Sequence, residues 1–319
     1  MDRPFSAIIN SFNRVDLLKE ALPSLLEGVR KVSVGTSVVV FDAGSTDGSI
    51  EYVQNMQEET ETPIHLIEPS EGEDTSFSAG VNAGVAYVAD RYPELKWCFL
   101  YETDNYLAHP EALEEGLRLL RRREELGAVG FTAEKRNGEK TEFGKPFPTV
   151  SSFVLGQRPK SWLGLGEPDV EWRTDQGQRF SYCDVVHTSP LLVEQELWKE
   201  IGGMDSDTFP FSDSDVDLCW RIAKQGRKCG VLDVRGVMHD NLQQESEWSK
   251  SRVLQFHQGR FRVLRKHRGR IVDTIRPLLL VRHFIEWIGL FLMWTVGKRP
   301  ASVLESRFHL MKLALFEYR

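Results

Sequence analysis

The chain of 319 residues contains only four cysteines, and no two of them form a C-x-x-C pair. This scarcity argues against a zinc ribbon or a disulfide framework and indicates a reducing compartment. The first residues lack the basic start and long apolar core of a signal peptide, so we expect a cytoplasmic protein. The sequence also lacks a P-loop, a G-x-S-x-G elbow and a G-x-G-x-x-G after its first apolar run. These absences argue against P-loop, α/β-hydrolase and dinucleotide-binding folds.

Negative charge is concentrated in the first three quarters of the chain. Counting Lys and Arg against Asp and Glu, residues 1–248 have a net charge of −18, residues 249–299 of +10 and residues 300–319 of +1. An acidic body argues against nucleic-acid binding. The basic segment leaves a contact with anionic lipid or with an anionic partner open.

Short apolar runs alternate with helical periodicity over the first 130 residues. The runs that predict strands are FSAIIN, TSVVVFD, TPIHLIEP, KWCFLYETDN and GAVGFTAE. Strands that alternate with helices predict an α/β fold with a mostly parallel central sheet flanked by helices. Beyond residue 131 we predict a hairpin that turns at Asn137-Gly138, and a long loop over residues 156–178.

Polar residues follow three of these strands, at the edge where a parallel sheet binds ligands. Asp42 ends the apolar run of VVVFDAGSTDGS, residues 38–49, and either fixes a turn or contacts a ligand. Asn13, in the preceding SFNR loop, is likewise either a helix cap or a ligand contact. The polar residues behind Asp42 are predicted to cap the next helix, namely Ser45, Thr46 and Asp47.

Two further groups of carboxylates have spacings that would suit metal binding or catalysis. Glu102 and Asp104 in YETDN would share one face of a strand, where they either hold Mg²⁺ or Mn²⁺ or form a solvated strand end. FSDSDVDLCWR lacks the glycine and the distal glutamate of an EF-hand. A helix that starts there favours Asp217 as its N-terminal charge more than Asp215. His239, after another apolar run, is either a cap or a ligand.

The order of these motifs resembles the family 2-type glycosyltransferases with the GT-A fold, and among them the bacterial rhamnosyltransferase-like envelope enzymes. The resemblance covers about residues 4–268 and rests on AIINSFNR, VVVFDAGSTDGS, FSAGVNAGV, YETDN, IGGMDSDTF, DSDVDLCWR and VMHD, in that order. It implies a GT-A domain over residues 1–248, with a nucleotide-binding half at 1–130 and an acceptor and catalytic half at 131–248. Residues 249–319 would then form a helical extension.

On the donor side, the resemblance implies contacts with a UDP- or dTDP-sugar. Phe12 and Asn13 would lie in the nucleotide-binding first loop, and Asp42 would hydrogen-bond the uracil or thymine base. Asn82 would lie on the helix that lines the nucleotide pocket. Thr103, between the two acids of YETDN, completes this set.

On the reaction side, the resemblance implies a divalent cation, Mn²⁺ or Mg²⁺, bound by Asp104 and His239. Glu102 stands where the first acid of the metal motif is usually an aspartate. Asp215 matches the catalytic base. The implied reaction is a single displacement with inversion, in which the cation stabilises the departing nucleoside diphosphate and Asp215 takes the proton of the acceptor hydroxyl.

The implied function is transfer of a sugar to a glycan or lipid-linked acceptor in surface polysaccharide synthesis. Two other classes stay open. A nucleotidyltransferase should carry a glycine-rich basic first loop, and INSFNR has no glycine. A non-catalytic sugar-nucleotide or glycan-binding module should tolerate the loss of Asp215. No nucleic-acid partner is expected, and a homodimer is compatible with the sequence.

The C-terminal segment interleaves basic and apolar residues and then becomes mostly apolar. Its longest uncharged run, Trp287–Gly297, has 11 residues, too few for a bilayer that needs about 20. We expect one of two arrangements. Either a helix lies in the interface on the inner face of the membrane, with the basic segment on anionic lipid, or a helix covers the domain core or a dimer interface.

Overall fold

The computed structural model describes residues 5–32, 37–135, 137–156, 170–239 and 250–317. The chain separates into two compact units, which we treat one at a time. The first unit comprises Met1–Pro146 and Asp169–Leu242, and the second comprises Phe147–Pro168 and Gln243–Arg319. The predicted domain boundary at residue 248 falls within residues 240–249, outside the described residues, and stays a prediction.

All the described strands belong to the first unit. In chain order they are β1 (Phe5–Ser11), β2 (Ser37–Asp42), β3 (Ile64–Ile67), β4 (Trp97–Glu102), β5 (Asn105–Leu107), β6 (Leu126–Phe131), β7 (Ala133–Glu134), β8 (Lys140–Thr141), β9 (Arg173–Asp175), β10 (Gln178–Cys183), β11 (Leu191–Glu194), β12 (Lys228–Leu232) and β13 (Val237–His239).

The described helices flank the sheet in the first unit and build the second unit. In chain order they are α1 (Val15–Val32), α2 (Ser49–Glu59), α3 (Phe77–Arg91), α4 (Glu111–Arg122), α5 (Val150–Leu155), α6 (Gln195–Ile201), α7 (Ser214–Lys224), α8 (Lys250–Arg268), α9 (Arg276–Thr295) and α10 (Ala301–Lys312). Helix α5 and the helices from α8 onwards belong to the second unit.

A nine-stranded sheet forms the centre of the first unit, in the order β3-β2-β1-β4-β11-β6-β12-β10-β9. The predicted mostly parallel sheet is confirmed, because β3, β2, β1 and β4 run parallel, as do β6 and β12. Strand β11 is inserted antiparallel between β4 and β6. Every residue of β2 and β6 is buried, as expected for strands covered on both faces.

Helix α3 packs unusually close to the sheet because it carries glycine on the contacting face. A Cβ atom added to Gly84 would lie 2.4 Å from Ile8 Cγ2, and one added to Gly80 would lie 2.6 Å from Phe41 Cδ1. Neither contact is possible for a real Cβ. The small residues of FSAGVNAGV therefore let α3 lie directly on β1 and β2, next to the sheet edge that carries the polar residues.

The strand order reverses between β1 and β4, which is where an open α/β sheet binds its ligands. Ser11 is in register with Asp42 on one side, and Asn10 with Glu102 on the other. The prediction that Asp42 and the YETDN acids lie at the same edge of one sheet is therefore confirmed.

A second sheet, in the order β5-β13-β7-β8, is built by the segments that follow the carboxyl ends of β4, β6 and β12. Strand β13 pairs antiparallel with β5 and parallel with β7. The predicted turn at Asn137-Gly138 is confirmed, with β7 and β8 on its two sides and Gly138 at φ 81°. This sheet brings three distant chain segments to one end of the first unit.

The predicted loop over residues 156–178 is confirmed at 156 and 170–172 but wrong over 173–178, and residues 157–169 lie outside the described residues. Strands β9 and β10 form an antiparallel hairpin. The chain turns at Gln176 and Gly177, which have φ angles of 46° and 84°. Consecutive positive φ angles are typical of a tight hairpin turn, and the Gln-Gly pair was a weaker signal than Asn-Gly.

The second unit is helical. Its buried side chains include Phe261, Leu264 and Leu279, together with His283. The 3₁₀ turn Arg270–Ile275 and α9 together form a segment of 26 residues, Arg270–Thr295, that is long and apolar enough to cross a membrane. By length and composition alone, this corrects the expectation that the segment is too short, because the helix continues through Arg282 and Glu286, where the uncharged run ends. Only 11% of its most apolar window is buried in the unit.

Candidate active site

Two carboxylates reach the two ring nitrogens of His239. Asp104 Oδ2 lies 3.5 Å from His239 Nε2, and Glu142 Oε1 is hydrogen-bonded to His239 Nδ1. The guanidinium of Arg14 lies 3.8 Å from the same Asp104 oxygen. The side chain of Asp104 is 9% exposed and that of Glu142 is 11% exposed. These four residues form a compact charged cluster at the edge of the sheet.

The charges in this cluster shift one another's pKa values. Burial acts to lower the pKa of His239, but the carboxylates of Asp104 and Glu142 outweigh burial and raise it to about 11. Burial, and then the charge of Asp104, raise the pKa of Glu102 to about 8. Burial would raise the pKa of Asp104, but its hydrogen bond and charge interaction with His239 hold it below its usual value. The two carboxylates therefore favour the protonated form of the imidazole.

The carboxylates and the histidine of this cluster fit a divalent cation. Asp104 Oδ1 and Glu142 Oε2 are buried and have no hydrogen-bond partner among the described residues. Carboxylate oxygens and a histidine nitrogen are ligands that Mn²⁺ accepts. In the part of the chain that the structure describes, no three His, Cys, Asp or Glu side chains already form a metal-ligand group. A cation that bridges a diphosphate needs only one or two protein ligands, because phosphate oxygens and water supply the rest.

The shared strand face predicted for Glu102 and Asp104 is wrong. Strand β4 ends at Glu102, and Thr103 and Asp104 form the turn into β5. The turn aims Asp104 towards His239, while Glu102 keeps its place at the strand end beside Asn10. The two carboxylates are still close enough for the charge of Asp104 to raise the pKa of Glu102. The role of Glu102 as a metal ligand stays a prediction.

Asp42 is completely buried and holds the turn that follows β2. Its Oδ1 accepts hydrogen bonds from the backbone N–H groups of Gly44 and Ser45, at 3.1 and 2.6 Å, and its Oδ2 accepts one from Ser45 Oγ at 2.8 Å. These are the contacts of a turn residue. A carboxylate has about four acceptor positions, so one remains on Oδ2. The predicted contact with the donor base is a separate matter and stays a prediction.

The loops after β1 and β2 are hydrogen-bonded to each other. Asn13 Oδ1 accepts a hydrogen bond from the N–H of Thr46 at 2.8 Å, so Asn13 does not cap α1. The N–H of Val15, the first residue of α1, donates instead to Asp47 Oδ2 at 2.9 Å. Of the residues predicted to cap α2, Asp47 is confirmed because it accepts the N–H of the first residue of the helix, whereas the prediction is wrong for Ser45 and Thr46. The N-cap of α2 is Gly48, which has no side chain to offer, although Asp47 Oδ1 accepts the N–H of Ser49.

The other predicted donor-side residues lie at different depths. Phe12 is 55% exposed in the loop after β1, and Thr103 is buried in the turn after β4. The amide of Asn82 exchanges two hydrogen bonds of 2.8 Å with the backbone of Met204, which fastens α3 to the segment after α6. Asn82 also lines a cavity of about 410 Å³ between these helices. Their contacts with a donor stay predictions.

Asp215 and Asp217 both lie in the first turn of α7, but in different surroundings. Asp217 is completely buried and forms an ion pair of 2.8 Å with Arg221, which supports its interpretation as a structural residue. Asp215 is half-buried, and its Oδ1 accepts the N–H of the adjacent Val216. Its carboxylate acts to raise the pKa of His187, which burial lowers overall. This interaction places Asp215 near a histidine that the sequence analysis did not assign.

Sequence reasoning missed three ionisable residues of this edge, Arg14, Glu142 and His187. Arg14 follows the assigned residue Asn13 directly, so a basic residue in the loop predicted to bind the nucleotide was an available signal. Glu142 and His187 stand in irregular segments with no periodic pattern around them. Burial lowers the pKa of His187, and the charges of Glu142 and Asp215 both act against this lowering. His187 therefore lies within electrostatic reach of both Glu142, beside His239, and Asp215, the residue predicted to be the base.

The fold and this site define a class of proteins. A mostly parallel central sheet flanked by helices, with one antiparallel strand inserted, is the GT-A fold that glycosyltransferases of similar structure share. The chain belongs to the glycosyltransferase like family 2, whose family model matches residues 3–260.

Two known proteins are similar to this chain, one over its whole length and the other over about a third of it. The mannosyltransferase PcManGT from Pyrobaculum calidifontis, solved with GDP-Man and Mn²⁺, aligns with 100% of this chain and 89% of its own at 14% identity and a TM-score of 0.56. The pre-mycofactocin glycosyltransferase of Mycobacterium tuberculosis is 26% identical over 107 residues, 32% of this chain. The chain spans about a fifth of that curated relative, 22% of its length.

Proposed function

We propose that the chain is an inverting, metal-dependent glycosyltransferase that moves a sugar from a UDP- or dTDP-sugar to a glycan or lipid-linked acceptor in surface polysaccharide synthesis. The observation that carries the proposal is the buried oxygen of Asp104. It has no hydrogen-bond partner among the described residues and belongs to a carboxylate beside His239. Family membership supports glycosyl transfer, and the similar mannosyltransferase supports a nucleotide-sugar donor with Mn²⁺.

Asp104 and His239 would hold the cation, Mn²⁺ or Mg²⁺, with Glu102 beside them. The cation supplies positive charge that stabilises the departing nucleoside diphosphate when it is bound. Arg14 adds a fixed positive charge at the same place, 3.8 Å from Asp104. Both charges are needed because residues 1–248 carry a net charge of −18, which repels a diphosphate.

Asp215 is the proposed base. A helix N-terminus favours negative charge, and Asp215 lies in the first turn of α7 without the ion pair that occupies Asp217. Its carboxylate takes the proton of the acceptor hydroxyl while that oxygen attacks the anomeric carbon and the bond to the diphosphate breaks. One base on the side opposite the leaving group suffices for inversion, and no covalent glycosyl-enzyme is required.

The donor nucleotide would lie along the loops after β1 and β2. Phe12, Asn13 and Thr103 provide an exposed ring and polar groups there, and Asn82 lies on the neighbouring helix α3. We propose that Asp42 Oδ2, which keeps one acceptor position, accepts the ring N–H of uracil or thymine from a UDP- or dTDP-sugar, and that the turn opens to expose this completely buried carboxylate. The bound GDP-Man of the similar mannosyltransferase makes a guanine donor the first alternative to test.

We propose that the protein is cytoplasmic and touches the inner face of the membrane through its second unit. The distal half of α9 leaves large apolar side chains in solvent, among them Ile288, Leu292 and Trp294. The turn after α9 adds Lys298 and Arg299, within a segment of net charge +10. A symmetric contact with a second copy would bring two such segments together, whereas anionic lipid complements them. Anionic lipid is therefore the favoured partner of this surface.

The deciding experiment measures transfer and donor hydrolysis with UDP-, dTDP- and GDP-sugars, with and without Mn²⁺. We expect Asp215→Asn to lose about 10²- to 10⁴-fold in transfer while its donor-induced thermal shift stays unchanged. Asp104→Ala should lose the part of the thermal shift that depends on Mn²⁺. Asp207→Asn, an exposed aspartate ahead of the same helix, is the matched control and should behave as wild type. Full transfer activity of Asp215→Asn would show that the proposed mechanism is wrong.

A further inference from the structure

Glu142 is placed to act on His239 from the side opposite Asp104. Its Oε1 is hydrogen-bonded to Nδ1 of the imidazole, while Asp104 Oδ2 lies 3.5 Å from Nε2. The two carboxylates therefore address different nitrogens of one ring. Only the Nε2 side faces the residues proposed to bind the cation.

The second sheet produces this arrangement. His239 ends β13 and is paired with Asn105 of β5, the residue directly after Asp104. On the other side, β13 pairs with β7, and the β7–β8 hairpin returns the chain so that Glu142 follows β8. The backbone pairing thus holds Asp104 and Glu142 on opposite sides of His239.

The backbone of Glu142 is itself in an unfavourable conformation. Its φ angle is 61°, in the left-handed region that non-glycine residues seldom occupy. Such conformations persist where the surrounding structure enforces them, and they are frequent at functional sites. Its Oε2 is buried without a hydrogen-bond partner among the described residues. A residue kept only for a local ion pair needs neither the strained backbone nor the buried second oxygen.

We propose that Glu142 is the positioning residue of the metal site, an inference that rests on the proposed metal-dependent function. A histidine presents Nε2 to a metal ion when its Nδ1 keeps the proton, and a carboxylate that accepts Nδ1–H fixes this tautomer and the ring orientation. Glu142 makes this contact. It acts on the cation through His239 and does not itself need to touch the donor.

The test is direct measurement of Mn²⁺ affinity for the full chain, by titration of free Mn²⁺ in electron paramagnetic resonance. We expect Glu142→Ala to weaken Mn²⁺ binding by about 10- to 100-fold, the usual effect of removing such a partner. Glu142→Gln should lose less, because its amide oxygen still accepts Nδ1–H. The matched control is Glu139→Gln, an exposed glutamate of the same hairpin that pairs with Lys135, and it should keep wild-type affinity.

The outcomes separate this inference from the proposed function. If Asp104→Ala abolishes Mn²⁺ binding while Glu142→Ala keeps wild-type affinity, Glu142 has no positioning role and the metal site stands. If Asp104→Ala binds Mn²⁺ as well as wild type, the metal site itself is wrong. A purely structural ion pair would lower the thermal stability of both Glu142 variants without changing Mn²⁺ affinity, which also overturns the inference. Should Glu142→Ala fail to fold, unchanged affinity in folded Glu142→Gln overturns it.

Discussion

Asp215 and Asp217 lie in the same turn of helix α7 but in different surroundings. Asp217 faces inward, where Arg221 donates to it and also to the backbone oxygens of Ile201 and Gly203. Arg221 thereby joins α7 to the end of α6. Asp215 is half-buried and close enough to His187 for its charge to affect the pKa of that residue. Residues two positions apart are about 200° apart around the helix, so the side chains of Asp215 and Asp217 point to different sides of α7.

We predict that Asp217→Ala lowers the free energy of unfolding by about 3–5 kcal/mol, because it leaves the guanidinium of Arg221 buried without its partner. Urea unfolding followed by circular dichroism measures this change. Asp215→Ala is the matched control, since it removes an equal charge from the same turn, and it should shift stability by less than about 1 kcal/mol. Equal unfolding midpoints for the two variants would contradict the assignment.

The site residues that sequence reasoning predicted are those embedded in ordered motifs. Asp42 and Asp104 follow apolar strands, and the parallel sheet brings their strand ends to one edge. Glu142 could not be found in this way. Its partner His239 is 97 residues away in the chain, and only the pairing of β13 with β7 brings them together. A residue that acts through a long-range contact leaves no local pattern.

At the scale of elements, local periodicity predicted what is locally determined. Strands β1 to β4 and the helices between them follow from apolar runs and helical spacing, since each βαβ unit is nearly continuous in sequence. The antiparallel insertion of β11 between β4 and β6 did not follow, because strand order depends on contacts across the chain. The two- and three-residue strands of the second sheet are too short to show any period.

A network of ion pairs around Glu286 joins helices α9 and α10, and its contribution to stability depends on pH. Glu286 contacts Arg282 at 3.1 Å and Arg307 at 2.9 Å, and it also bonds His283. Burial acts to raise the pKa of Glu286, but these three partners outweigh it and hold the pKa at about 2. A folded-state pKa below the unfolded value contributes stability at pH above about 4.5. That contribution disappears as the pH falls towards 2.

We predict that Glu286→Gln lowers the free energy of unfolding at pH 7 by roughly 1–2 kcal/mol. The pKa shift alone gives about 3 kcal/mol, and solvent screening of a partly exposed group reduces it. The difference from wild type should shrink as the pH falls from about 4.5 to 2, where the wild-type glutamate is also protonated. Urea unfolding at pH 7, 5 and 3 measures it, with exposed Glu58→Gln as control. A difference in unfolding free energy that stays constant across this pH range would contradict the ion-pair network around Glu286.

For the whole molecule, charge and apolar exposure divide along the chain. Residues 1–248 carry a net charge of −18 and residues 249–299 one of +10. Exposed large apolar residues are concentrated between Ile271 and Phe316, whereas the strands of the first unit are largely buried. If the proposed lipid-linked acceptor is right, this division is useful, because anionic lipid repels the acidic part and attracts the basic, apolar part.

We predict that the protein sediments with vesicles that contain anionic lipid at low salt, and that about 0.5 M salt releases most of it. Lys298→Gln with Arg299→Gln should weaken binding by about 2 kcal/mol, or about thirtyfold, at about 1 kcal/mol per basic residue. Trp294→Ala should weaken it through lost apolar contact, even at high salt. The control is Lys199→Gln with Lys224→Gln, which removes the same charge from the first unit. Absence of binding at low salt, together with a dimer that Trp294→Ala dissociates, would assign this surface to a second copy instead.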